Sequence, residues 1–150
     1  MLQRIQTIYL ILAGIFISLT FYFSFATYSI SNELKPFTSL GFNPFGQNIE
    51  IFPLYILVII SSLLIAISII SFKNRKRQIF INTANYFVLL ALMVLVFINF
   101  NVFEPLQDTD IDISYGASLF FPIVSFVLVL MANRAVKNDE KLIKSMDRIR

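Results

Sequence analysis

Asp108, Asp110 and Asp112 alternate along the chain, a spacing at which calcium loops present carboxylates. An EF-hand loop also needs a glycine at its sharp turn and a Glu at its twelfth position. Counted from Asp108, those positions hold Ile113 and Leu119. The run therefore reads as a solvated acidic loop, at most a loose contact for a divalent cation. The next group with chemical potential is Lys73-Asn74-Arg75-Lys76-Arg77. Basic runs can bind nucleic acid, but this one is a short connector between two apolar stretches. Anchoring the chain beside anionic lipid headgroups accounts for it, and nucleic acid is not expected as a partner. Asn82 and Asn85 lie three apart and so share a helix face. Either they find partners across a helix interface, worth about 0.6–2 kcal/mol each, or they sit near the membrane boundary and meet water. Asn99 and Asn101, at the other end of the same stretch, are expected to meet water.

The residues that are missing narrow the chemistry further. There is no Cys and no His. Thiolate chemistry, disulfides, the best zinc ligands and the usual general base are thereby removed. No glycine-rich phosphate loop is present. No acid or base interrupts the apolar stretches, where proton relays and ion-coupling sites normally lie. The chain is expected to be no enzyme and no ion-coupled transporter. No cofactor or metal is expected, nor a small-molecule substrate.

The elements that carry these residues follow from composition. Hydrophobic residues make up 57% of the 150 and charged residues 14%, against roughly 45–50% and 25% in soluble domains. Residues 5–32, 51–72, 78–103 and 113–133 contain no Asp, Glu, Lys or Arg. Each reaches the roughly 20 residues that a helix needs to cross hydrocarbon. The expected fold is an all-α membrane protein: one four-transmembrane-helix bundle with spans at about 7–27, 53–72, 79–101 and 114–133. A cytoplasmic amphipathic tail, 134–150, follows. Of the twelve Lys and Arg residues, only Lys35 falls on the second side of such a bundle. The positive-inside rule then places both termini in the cytoplasm. The first span is too long for a signal-peptide core of about 7–15 residues and reads as a retained anchor.

Gly14 and Ser18 in the first span form a small-xxx-small pair, a candidate helix interface together with Asn82 and Asn85. Small residues are common in spans, so chance also accounts for the pair. The first outer loop is the longer one and holds Phe37, Phe42, Phe45 and Phe52. These either occupy the headgroup zone and cap the bundle, or dock another envelope protein. Residues 34–42 and 49–52 could pair as a short β-hairpin. Pro53 opens the second span, and Pro122 is expected to kink the fourth. A lipid or apolar solute could then sit beside Pro122, Phe120 and Phe121. In the tail, Val136, Leu142, Ile143, Met146 and Ile149 recur near helical spacing. Its Lys137, Lys141 and Lys144, with Lys73, Arg75, Lys76 and Arg77, are candidates for contact with anionic lipid or a cytoplasmic partner.

Met1-Leu2-Gln3-Arg4-Ile5-Gln6-Thr7-Ile8-Tyr9-Leu10 and the stretch from Met131-Ala132-Asn133-Arg134 through Lys141-Leu142-Ile143-Lys144 resemble a family of short four-span membrane proteins of Bacteroidota known as a domain of unknown function. The resemblance covers essentially the whole chain and implies a bacterial inner-membrane home. It brings no catalytic residues. Two roles are expected. One is a structural or accessory subunit of a larger membrane assembly, for translocation, insertion or envelope work, with another multi-span protein and membrane lipids as partners. The other is a protein that binds lipid or an apolar solute.

Overall fold

The computed structural model describes residues 2–30, 33–41, 54–103 and 112–147. Four helices carry the fold: α1 (Leu2–Leu19), α2 (Leu54–Ile70), α3 (Arg75–Phe103) and α4 (Phe121–Asp147). Strands β1 (Ala26–Ile30), β2 (Glu33–Phe37) and β3 (Asp112–Tyr115) form a small sheet. α2, α3 and α4, with the 3-10 turns that adjoin them, are long and apolar enough to cross a membrane.

Each helix buries a stripe of residues alternately three and four apart. In α1 the stripe is Gln6, Leu10, Ala13 and Ile17, and in α2 it is Leu54, Val58, Ser61, Ile65 and Ser68. In α3 it runs Gln78, Asn82, Asn85, Leu89, Leu92, Val96, Asn99. In α4 it runs Pro122, Ser125, Val129, Ala132, Val136, Asp139. A repeat of 3.5 residues keeps one seam facing its neighbours, as in left-handed helix packing. The helices close into a ring in which α1 touches α2 and α4, and α3 touches the same two. Ring neighbours run antiparallel, as short connections favour. The outward faces stay apolar: Ile8, Ile15, Leu63, Phe80, Phe87, Phe97 and Ile123 are exposed. A surface apolar outside as well as inside suits hydrocarbon, not water.

α1 is shorter than the charge-free run that contains its apolar part. α1 has 18 residues, a rise of about 27 Å, and its apolar part, Ile5–Leu19, falls short of the other three helices. The chain leaves the helix through Thr20–Phe23. The Thr20 hydroxyl donates to the Ile17 carbonyl at 2.5 Å, and the Tyr22 and Phe23 amides both turn back to the Leu19 carbonyl, at 3.0 and 3.2 Å. Residues 26–30, expected at a span's end and just beyond it, are instead the central strand of a sheet ordered β2-β1-β3. Both pairings are antiparallel, with Ala26 opposite Phe37 on one side and Tyr115 on the other. The expected hairpin partner 49–52 lies outside the described residues. The observed partner of residues 33–37 comes from the preceding segment, because a two-residue connection closes that pairing at little entropic cost. Pro36 is tolerated because β2 is an edge strand.

Pro122 does not kink α4. It is the second residue of the helix, in the first turn, where a missing N–H leaves no bond unmade. At the other end α4 runs unbroken to Asp147, so the amphipathic tail continues the span. Val136 is fully buried and Asp139 is 4% exposed, which places this extension inside the bundle.

α2 and α3 join through a 3-10 turn, Ser71–Lys73, and Asn74. The Arg77 amide donates to the Asn74 side-chain oxygen at 3.3 Å and the Gln78 amide to the Asn74 carbonyl at 3.0 Å. Asn74 thus caps α3, and the basic connector needs only a few residues to reverse the chain.

Candidate functional site

Two features distinguish this bundle from an inert apolar one. The first is its interior at the end that carries the α2–α3 connector. There the buried stripes turn polar: Gln6 on α1, Ser68 on α2, Gln78, Asn82 and Asn85 on α3, Asn133 and Asp139 on α4. Gln6 Nε2 donates to Asp139 Oδ2, joining residues 133 apart in sequence. Ser68 Oγ donates to Asn82 Oδ1 at 2.6 Å, linking α2 to α3. The Tyr86 hydroxyl donates to the Val129 carbonyl at 3.5 Å, and its ring meets Phe126 edge-on at 5.8 Å. Higher up, Ser125 Oγ donates to the Ala13 carbonyl at 3.0 Å. Each hydrogen bond joins ring neighbours. Such bonds hold apolar helices together where no hydrophobic gain separates helix from lipid.

Asn82 and Asn85 are therefore interior residues, each 1% exposed. Asn99, expected to meet water, is buried and donates to the Leu95 carbonyl of its own helix at 2.7 Å. The Asn101 side chain lies outside the described residues. Asp139 and Gln6 were hidden from sequence reasoning, since an acid in a charged tail reads as solvated. Their spacing holds the signal that reveals them: Gln6, Ser68, Gln78, Asn82, Asn85 and Asp139 all fall on the seams of period 3.5, with Asn133 one residue beside its own.

The second feature is a groove between α1 and α2, of about 420 Å³, open to the outside. Gly14 and Ser18 line it from α1, Ser62 and Ala66 from α2, with Leu10 and Ile65 at its floor. Small residues four apart thus face it from both helices. A Cβ added at Gly14 would meet Ile65 Cγ2 at 3.5 Å, ordinary contact. The two hydroxyls are spent on their own helices, Ser18 Oγ on the Gly14 carbonyl and Ser62 Oγ on the Val58 carbonyl, both at 2.7 Å. The groove accordingly offers an occupant shape and dispersion, with little polar recognition.

The other sequence candidates separate. Phe37 is fully buried, its ring 5.5 Å from those of Phe25 and Phe100, so it caps the bundle and presents no docking surface. Tyr28 is buried in the same cap, which raises its phenol above the ordinary value, with Tyr115 adding to the shift. Phe121 packs against Phe16 and Phe23, at 6.0 and 5.6 Å, while Phe120 stays 64% exposed. Phe42 and Phe45 lie outside the described residues. Lys73, Lys76, Arg77, Lys137 and Lys141 are exposed at the polar-interior end of the bundle, with Lys73 Nζ 5.9 Å from the Phe72 ring centre. Arg75 is half-buried at the same end. Lys144 belongs to α4, but its side chain is outside the described residues. Among the described residues no group of three or more Asp and Glu could hold a metal ion.

Fold and site together define a class: a closed, antiparallel four-helix bundle, apolar on its outer surface, with a polar interior at one end and a small sheet over the other. The chain matches the family DUF4293, described as a domain of unknown function, over residues 2–149, and it belongs to that family. No curated protein matches it.

Proposed function

We propose that this protein is a structural or accessory subunit of a larger assembly in a bacterial inner membrane, such as a translocation, insertion or envelope machine. The observation that carries this reading is the notched groove between α1 and α2. Small residues on both walls admit a further helix at close range, the arrangement by which helices associate in lipid. In a mild-detergent pull-down of the tagged full chain, a stoichiometric multi-span partner is expected. Filling the groove with Gly14→Leu and Ala66→Leu together is expected to weaken capture about tenfold, from an overpacking cost of about 1–3 kcal/mol. Gly14→Ala is expected to retain it. A partner held equally well by the filled groove would remove the observation on which this reading stands.

A second reading, lipid or apolar-solute binding, rests on the size of the same groove, within the roughly 300–1,000 Å³ of small-molecule sites. In that case the tagged chain comes out with lipid alone, and the filled groove loses the lipid adduct in native mass spectrometry.

Both readings use a four-span topology with cytoplasmic termini. It is supported by the gathering of Lys73, Lys76, Arg77, Lys137 and Lys141 at one end of the bundle, with Lys35 in the sheet at the other. Because the chain has no Cys, single cysteines report sidedness directly. Leu40→Cys is expected to react with an impermeant thiol reagent from outside intact inner-membrane spheroplasts. Lys76→Cys and Lys141→Cys are expected to react only after permeabilisation. Outside labelling of Lys141→Cys alone among the inner pair would mean that α3 or α4 does not span.

A further inference from the structure

Among the described residues, the polar end of the interior contains a cluster of hydrogen-bonding atoms without partners. Asn85 lacks one for both Oδ1 and Nδ2, and Asn82 for Nδ2. Across the α3–α4 interface Asn133 Oδ1 and Asp139 Oδ1 are in the same condition, as is Arg75 Nη1 at the start of α3. Asn82, Asn85, Asn133 and Asp139 are each at least 96% buried. Gln78, Asn82 and Asn85 follow one another along one seam of α3. Tyr86, beside them, reaches α4 at Val129 and Asn133. Asn82, Asn85 and Asn133 therefore occupy adjoining turns of the α3–α4 seam, and Asp139 follows on the buried stripe of α4, where Gln6 of α1 meets it. Leu89, Leu92, Val129 and Ile65 fill the interior beyond them. Native interiors hold few such orphans, and an ordered water or ion is one of the partners that resolve them.

The balance of donors and acceptors selects the partner. A bare cation would satisfy Asn85 Oδ1, Asn133 Oδ1 and Asp139 Oδ1 but would leave the amide hydrogens of Asn82 and Asn85 without an acceptor. An anion would face the Asp139 carboxyl. Exchanging O and N on Asn85 changes nothing, because both of its ends are unpartnered. A ligand that donates and accepts equally, small enough to lie between packed helices, is water, and a buried water makes about three hydrogen bonds. We propose that the inner end of this bundle is a hydrated chamber, a binding site for a water cluster held by Asn82, Asn85, Asn133 and Asp139. The Gln6–Asp139 pair and Arg75 lie between it and the basic surface, and Leu89, Leu92 and Val129 close it off from the other end. The chamber makes the bundle half wet and half dry, and it does not depend on the groove or its occupant.

Water-edited NMR of the full, unaltered chain in lipid bilayers, with ¹⁵N-labelled asparagine, tests this directly. Polarisation from water is expected to build up quickly on the side-chain amides of Asn82, Asn85 and Asn133. It should build up several-fold more slowly on Asn99, whose Nδ2 is bonded to the Leu95 carbonyl. Build-up on Asn85 and Asn133 as slow as on Asn99 would overturn the proposal. Melting temperatures give a second, independent sign. Asn85→Leu is expected to melt several degrees lower if it intrudes on bound water, with Asn85→Ser close to the parent. A rise on Asn85→Leu would mean that a dry, unpaired amide had been removed, and would equally end the chamber.

Discussion

Gly116→Ala is expected to destabilise the protein by about 3 kcal/mol, the upper range for forcing an extra carbon into a packed site. Its thermal midpoint should fall by on the order of 10 °C. Gly116 follows β3 and donates its N–H to the Phe25 carbonyl at 2.9 Å. A Cβ there would lie 2.0 Å from the Ser24 carbonyl oxygen and 3.0 Å from its carbon. Both are backbone atoms, so no side-chain rotation relieves the clash. The β1–β3 ladder, Ala26 with Tyr115 through Ser29 with Asp112, would have to slide or open. With it would go the seating of the 3-10 turn Ala117–Leu119 that starts α4. Circular dichroism melts in detergent read the effect, with Gly14→Ala as the control that should melt like the parent. Equal melting of the Gly116 and Gly14 variants would mean that β3 does not approach Ser24 this closely.

The second large effect is an asymmetry at the Gln6–Asp139 pair. Gln6→Leu leaves a buried carboxyl whose Oδ1 already has no partner and whose Oδ2 then loses its donor. A buried acceptor stripped in this way costs about 1–3 kcal/mol. Replacing both partners by apolar side chains removes the unmet demand as well as the bond. The double variant Gln6→Leu, Asp139→Leu is accordingly expected to recover most of the loss, with a coupling of about 1–2 kcal/mol. Denaturation of the four members of the cycle measures it. Additive single effects would show that the pair does not bind α1 to the end of α4. The prediction concerns architecture as well as energy, since this contact draws the charged segment after the fourth span back into the bundle.

These two sites show where sequence reading succeeds and where it stops. The charge-free runs of residues 51–72, 78–103 and 113–133 foretell α2, α3 and the body of α4, because a helix in hydrocarbon is specified by length and the absence of charge. The run over 5–32 misleads for the same reason. Hydropathy cannot separate the end of an apolar helix from an apolar strand, so Ala26 and Thr27, the start of β1, read as the end of a span. Nothing marks Gly116 within the run over 113–133, because its neighbour Ser24 lies far away in sequence. Asp139 looked solvated, because its donor is 133 residues away.

The sequence by itself determined the class of environment, the number of apolar stretches, the gathering of basic residues at alternate connections and the lack of His and Cys. Each of these is a sum over local residue properties, and burial in a particular partner does not alter it. The tertiary structure decided which face of each helix is interior, because the lipid-suited and core-suited faces are both apolar and only packing distinguishes them. It decided that Gln6, Asn82, Asn85, Asn133 and Asp139 share one end of that interior, and that Gly14, Ser18, Ser62 and Ala66 line one groove. Those are contacts between helices, and for the polar end their physical cause is the 3.5-residue seam. It carries a polar residue on one helix to the polar residue on the next once the ring of helices has closed.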